Sequence, residues 1–179
     1  HYINLMLSLK VVEFLIWCDR VTITGKILSE SECITISNLL AVTEVDTVND
    51  LRASILAGQR RLENFVGSNL NADALPCVSI LGAPLEELCS IILSKPFFKG
   101  KIFSFIFDEY ENFLDYQQSV CNTLIKHSGE EFTFKIGVKQ LGWRVKIAAR
   151  HYELLRTPAD YELIDIHSSY KRGAFKRYA

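Results

Sequence analysis

The chain has 179 residues, 49% hydrophobic and 23% charged, with a formal net charge of −1. These values exclude a disordered segment and give no overall electrostatic pull toward nucleic acid or anionic lipid. Cys18, Cys33, Cys77, Cys89 and Cys121 form no CxxC pair, which argues against a zinc cluster or a disulfide scaffold and for buried thiols in a reducing cytosol.

Residues 2–17 (YINLMLSLKVVEFLIW) put Leu5, Leu9, Val12 and Ile16 on one face of a predicted amphipathic helix. Its apolar stretch from Val11 to Trp17 is too short to span a bilayer, and no signal-peptide pattern is present. Residues 33–42 fit either a short strand or the start of a helix. Asp46, Thr47 or Asn49 can cap a long helix reaching about Phe65, with Leu51, Ile55, Leu62 and Phe65 inward and Arg52, Arg60 and Arg61 outward. GSNLNADALP at 67–76 reads as a loop. Pro84 opens a short helix that ends near Ser94-Lys95-Pro96.

The pattern then alternates. A strand is predicted over 101–107, a helix over 112–128 closed by Gly129, a strand over 132–138, a helix over 143–155 and a third strand over 161–166 introduced by Pro158. Strands alternating with helices predict an α/β fold with a parallel sheet covered on both faces. The chain starts at His1 and stops at Ala179 inside helical patterns, as an interior piece of a longer protein would.

KIFSFIFDEYEN, residues 101–112, carries the chemistry: an apolar strand that exits on Asp108 and Glu109. In a parallel sheet functional groups gather where strands end. One acid there can hold Mg²⁺, directly or through water, while its neighbour polarises the water attacking a γ-phosphate. The simpler alternative is two acids favouring the positive end of the next helix.

FDEYENFLDYQQSVCNTLIKHS, FTFKIGVKQLGWRVK and RTPADYELIDI, in that order, resemble the origin-recognition-type AAA+ ATPases, and a bacterial branch of them most closely. The resemblance covers residues 101–166 and extends upstream through the LGAP turn at 81–84. It implies a three-layer P-loop AAA+ core with a parallel sheet, incomplete here, and cytoplasmic ATP binding and hydrolysis with Mg²⁺. Asp108 becomes the Walker B metal ligand and Glu109 the water-activating acid. Lys139 or Gln140 takes the sensor position facing the γ-phosphate, although neither is the Asn or Thr usual there. Arg144, Arg150 and Arg156 are the arginine-finger candidates toward a neighbouring subunit. Self-association or a protein partner, DNA through domains outside the chain, and a link to phage defence are implied in the same way.

No G-x-x-x-x-G-K-[ST] pattern occurs: Gly25-Lys26 and Gly100-Lys101 are both followed by Ile, with Arg20 and Lys95 where the first glycine belongs. Residues 1–179 thus resemble the part of an AAA+ domain after the P-loop and before the lid, inactive alone. A second reading is a non-catalytic interaction or scaffold module using Phe97, Phe98, Tyr110, Phe113 and Tyr116. A metal-dependent nuclease is a third, but the strand FTFKIGVK holds no acid. His127, His151 and His167 share no ligand spacing, and the basic tail at 171–178 reads as a solvated helix face.

Overall fold

A computed structural model describes residues 1–21, 26–67, 82–149 and 152–166. The elements are α1 (Tyr2–Val21), α2 (Glu30–Leu39), α3 (Val48–Gly67), α4 (Ala83–Leu93), β1 (Phe103–Phe107), α5 (Asp115–Lys126) and β2 (Phe132–Ile136). Single 3-10 turns lie at Pro96–Phe98 and Tyr110–Asn112.

Leu5, Leu9 and Val12 of α1 are buried as the periodicity predicts, and Ile16 packs partly buried against the same core. α1 and α3 run antiparallel: Tyr2 donates to Glu63 at 2.8 Å near one end, and Arg52 pairs with Glu13 at 3.2 Å toward the other. Residues 33–39 are helical, because Ser29 and Glu32 form a capping box that starts α2 ahead of them. Glu32 also pairs with Lys95, tying α2 to the exit of α4. Of the three candidate caps for α3, Thr47 accepts the Asp50 N–H at 3.1 Å. No helix among the described residues is long and apolar enough to cross a membrane.

β1, α5 and β2 form a βαβ unit in which β1 pairs parallel to β2, Phe103 opposite Phe132 through Phe107 opposite Ile136. One face of this pair presents Phe103, Phe105, Phe107, Phe132, Phe134 and Ile136, alternating along each strand. Phe105, Phe107 and Phe132 join a single core with Leu5 and Val12 of α1, Leu51 and Ile55 of α3, Leu85 and Leu88 of α4, and Cys121 and Leu124 of α5. Each ring fully buried there contributes roughly 1.5–3 kcal/mol.

Several expectations need correction. Among the described residues the sheet is covered on one face only: Ile106 is 72% exposed, and Ser104 and Lys135 beside it are also exposed. The described residues thus hold a small two-stranded α/β unit and not a complete three-layer sheet. No strand forms over 161–166 as far as Asp165, and the described part of 143–155 is irregular, with an Ile147–Leu154 antiparallel bridge. Its apolar residues suggest a helix, but Ala148 and Leu155 instead pack with Ile125 of α5 in a second small cluster. Gly129 does not cap α5, which ends at His127 with ordinary backbone bonds to Thr123 and Ile125. The helix begins at Asp115 because the 3-10 turn occupies the residues before it. The loop at 68–76, Cys77, Arg150, and the tail helix lie outside the described residues.

Candidate functional site

The β1–β2 ladder continues past both strands. Gly137 donates its N–H to Phe107 O at 2.7 Å, and Tyr110 donates its N–H to Gly137 O at 3.1 Å. Asp108 and Glu109 sit between these two bonds, exposed at the carboxyl edge. Asp108 Oδ1 accepts the Glu109 N–H at 2.9 Å, which fixes the first carboxylate against the backbone. Glu109 takes the left-handed conformation, φ 52 and ψ 42, and its Oε2 accepts from Asn112 Nδ2 at 3.1 Å. Left-handed backbone is costly for a residue with a Cβ and signals an over-determined turn. The two acids are therefore held separately, one by its own backbone and the other by the following 3-10 turn. Gly137 makes room for this: a Cβ there would stand 2.9 Å from Asp108 Oδ1.

The remaining sequence-predicted residues fall around this edge with different fates. Lys139 pairs with Glu111, Nζ to Oε1 2.9 Å, and its own N–H reaches Glu111 Oε2 at 3.3 Å. The hydrogen bond raises the Lys139 pKa, with the Glu109 charge a minor contributor, and lowers that of Glu111. Gln140 lies exposed in the turn that follows. Arg144 is engaged within the chain: Nε donates to Asp115 Oδ1 at 2.8 Å, one terminal nitrogen to Glu111 O at 2.8 Å, and the other to Phe113 O. Arg156 is exposed, and its N–H donates to Asp160 Oδ2 at 2.7 Å.

Among the described residues no three acids, histidines or cysteines converge as a metal cage. Mg²⁺ commonly binds through one or two carboxylates while phosphates and water complete its shell. An exposed Asp108 whose Oδ2 has no protein partner among the described residues fits that donor set. A cavity of about 280 Å³ lies elsewhere, lined by Ala41, Val42, Gly58, Arg61 and Leu62, and brings no acid to the edge.

Residues 118 and 122 had no role in the sequence reading. Gln118 and Asn122 are fully buried on α5. Asn122 donates to Val145 O at 2.8 Å and Ile147 O at 3.2 Å and accepts from Tyr110 OH and Trp143 Nε1, each at 3.3 Å. Thr123 Oγ1 accepts the Ala149 N–H at 2.8 Å, and Ser119 Oγ donates to Ile147 O at 3.0 Å. Polar side chains of α5 thus satisfy the backbone of 142–149, which among the described residues has one β-bridge, Ile147 with Leu154. The available signal was two amides four residues apart on a helix face that also carries Cys121 and Ile125.

No curated protein and no solved structure matches the chain. A family model described as ORC-CDC6-like matches residues 1–179. With a βαβ unit whose first strand ends in Asp-Glu, the chain belongs to the ORC-CDC6-like family, relatives of the AAA+ ATPases.

Proposed function

We propose that the chain carries the acidic half of a Mg²⁺–ATP site in an AAA+-type ATPase. The observation that carries this reading is the pair of exposed, separately held carboxylates at the exit of β1, Asp108 pinned by the Glu109 N–H and Glu109 in left-handed backbone. Asp108 would hold Mg²⁺, which neutralises charge on the phosphate oxygens when bound. Glu109 would orient and polarise the attacking water, with Asn112 holding one carboxylate oxygen and leaving the other for that task.

No phosphate-cradling G-x-x-x-x-G-K-[ST] occurs in the 179 residues, so the reading requires a phosphate-binding loop from sequence outside them. The interchain role of an arginine finger then falls to Arg150 or Arg156, because Arg144 is committed to Asp115 and two carbonyls. Lys139, paired with Glu111, must break that pair to sense a phosphate, whereas exposed Gln140 need not.

The test is Glu109→Gln in the full-length parent, expected to leave ATP binding intact and remove most hydrolysis. Unchanged turnover refutes the reading. Asp108→Asn should instead raise the Mg²⁺ concentration needed for activity. An assembly role is the second reading, favoured by the uncovered sheet face around Ile106; it expects neither substitution to change what the protein binds.

A further inference from the structure

We infer that Gln118 is the positioning residue of the Glu109 turn, joining it to the 142–145 segment through a single buried amide. The catalytic meaning of this inference rests on the role proposed for Glu109; the structural coupling does not.

The left-handed backbone at Glu109 persists only if its neighbours hold it. Tyr110, the next residue, is held on every side. Its N–H donates to Gly137 O at 3.1 Å, its carbonyl accepts from Gln118 Nε2 at 3.3 Å, and its hydroxyl lies 3.1 Å from Gln118 O and 3.3 Å from Asn122 Oδ1. The side chain of Tyr110 is fully buried, so none of these bonds exchanges freely with water.

Gln118 uses the whole capacity of its amide. Besides Tyr110 O, Nε2 donates to Gly142 O at 2.9 Å, while Oε1 accepts the Arg144 N–H at 3.0 Å and the Val145 N–H at 3.2 Å. Arg144 then returns to the carbonyls of Glu111 and Phe113. The turn following Glu109 is gripped from both sides, by α5 beneath and by the guanidinium above. Asn122 also touches both, through the Tyr110 hydroxyl and Val145 O, but among the described residues Gln118 is the side-chain amide that bonds the backbone of both segments. Losing it strips the Gly142 carbonyl and the Arg144 and Val145 N–H groups of these partners and leaves the Tyr110 carbonyl with the Phe113 N–H, a cost that movement of both segments relieves.

The test compares Gln118→Leu and Gln118→Glu with the wild type. Glutamate keeps the shape and the acceptor but loses the donors to Tyr110 O and Gly142 O. In the 179-residue leucine variant, backbone hydrogen exchange should accelerate about tenfold or more at Glu109 and Tyr110 as well as at Arg144 and Val145, with α1 and α3 unchanged. Acceleration confined to 144–145 overturns the inference. If the leucine variant fails to fold, the glutamate variant, which keeps the acceptor for Arg144 and Val145, should still accelerate exchange at Glu109 and Tyr110, and unchanged exchange there overturns the inference. In the full-length parent, kcat should fall while the nucleotide KM stays within about threefold. A raised KM with unchanged kcat overturns the positioning role. Should Glu109→Gln leave turnover intact, the ATPase reading fails, and the exchange result at Glu109 still decides the coupling.

Discussion

Gly137→Ala tests the seating of Asp108 more directly than replacing Asp108 itself. A Cβ at 137 would lie 2.9 Å from Asp108 Oδ1, 3.6 Å from Phe107 O and 3.8 Å from Asp108 Cα. The carboxylate must therefore retreat by about 0.5 Å to reach ordinary contact, while the backbone contacts are already tolerable. That retreat stretches the 2.9 Å bond from the Glu109 N–H, a charge-assisted bond worth about 1.5 kcal/mol at an exposed position. Gly137 does not have a positive φ, so alanine suits its backbone and returns roughly 0.4–1 kcal/mol by restricting the unfolded chain. The net expectation is a loss of about 0.5–1 kcal/mol, read as a lower urea midpoint with an unchanged m-value. In an Asp108→Ala background the same substitution should become neutral or stabilising, because the carboxylate it strikes is gone. In the full-length parent, Gly137→Ala should raise the Mg²⁺ requirement without abolishing ATP binding. A rise in urea midpoint in the wild-type background, with an unchanged Mg²⁺ response, would refute the seating of Asp108 against this glycine.

Other consequences can be measured on the 179-residue chain. Arg144→Ala should cost about 1–2 kcal/mol in urea unfolding without nucleotide or a neighbouring subunit, since its bonds to Asp115 and two carbonyls are internal; no change would mean that those bonds contribute nothing. Burial pushes the Cys89 and Cys121 thiols up to about 12, so iodoacetamide at pH 8 should leave both unlabelled until the chain is unfolded. The Asp160 pKa is lowered, first by the Arg156 N–H and then by Lys126. A lowered folded value stabilises above the unfolded carboxylate pKa near 4 and is lost as pH falls through it. Asp160→Asn should therefore destabilise at pH 7, with the difference from wild type gone at strongly acidic pH; a difference that persists there would remove Asp160 ionisation as its cause.

The sequence was most legible where local chemistry decides. The apolar stripe of α1, the start of α3 at one of its three candidate caps and the proline start of α4 all appear where spacing put them, because each is set by residues within one or two turns. The parallel pairing of β1 and β2 and the exit of Asp108 and Glu109 at its edge also followed from alternation of apolar runs with a helix. Beyond residue 142 the same reasoning failed for a tertiary reason. Trp143, Ile147 and Leu155 look like a helical face, but the carbonyls of Val145 and Ile147 and the Ala149 N–H are claimed by amides and hydroxyls of α5 more than 20 residues earlier, a long-range competition that no window along the chain contains. The left-handed glutamate at 109 has no sequence signal, since the residue type argues against that conformation. The close approach at Gly137 was visible only as a glycine near the end of a predicted strand.

The one-sided sheet bears on how this chain behaves as a material. β1 pairs only with β2, so among the described residues each strand keeps one margin of backbone donors and acceptors with no ladder partner. Beside that margin Ile106 is open to water, and its register partner Lys135 supplies the adjacent charge. Lys135 thereby works as a gatekeeper: its ammonium makes it costly for a second chain to add a strand or stack an apolar surface there. The net charge of −1 offers almost no mutual repulsion between copies, so a local charge such as this one matters more.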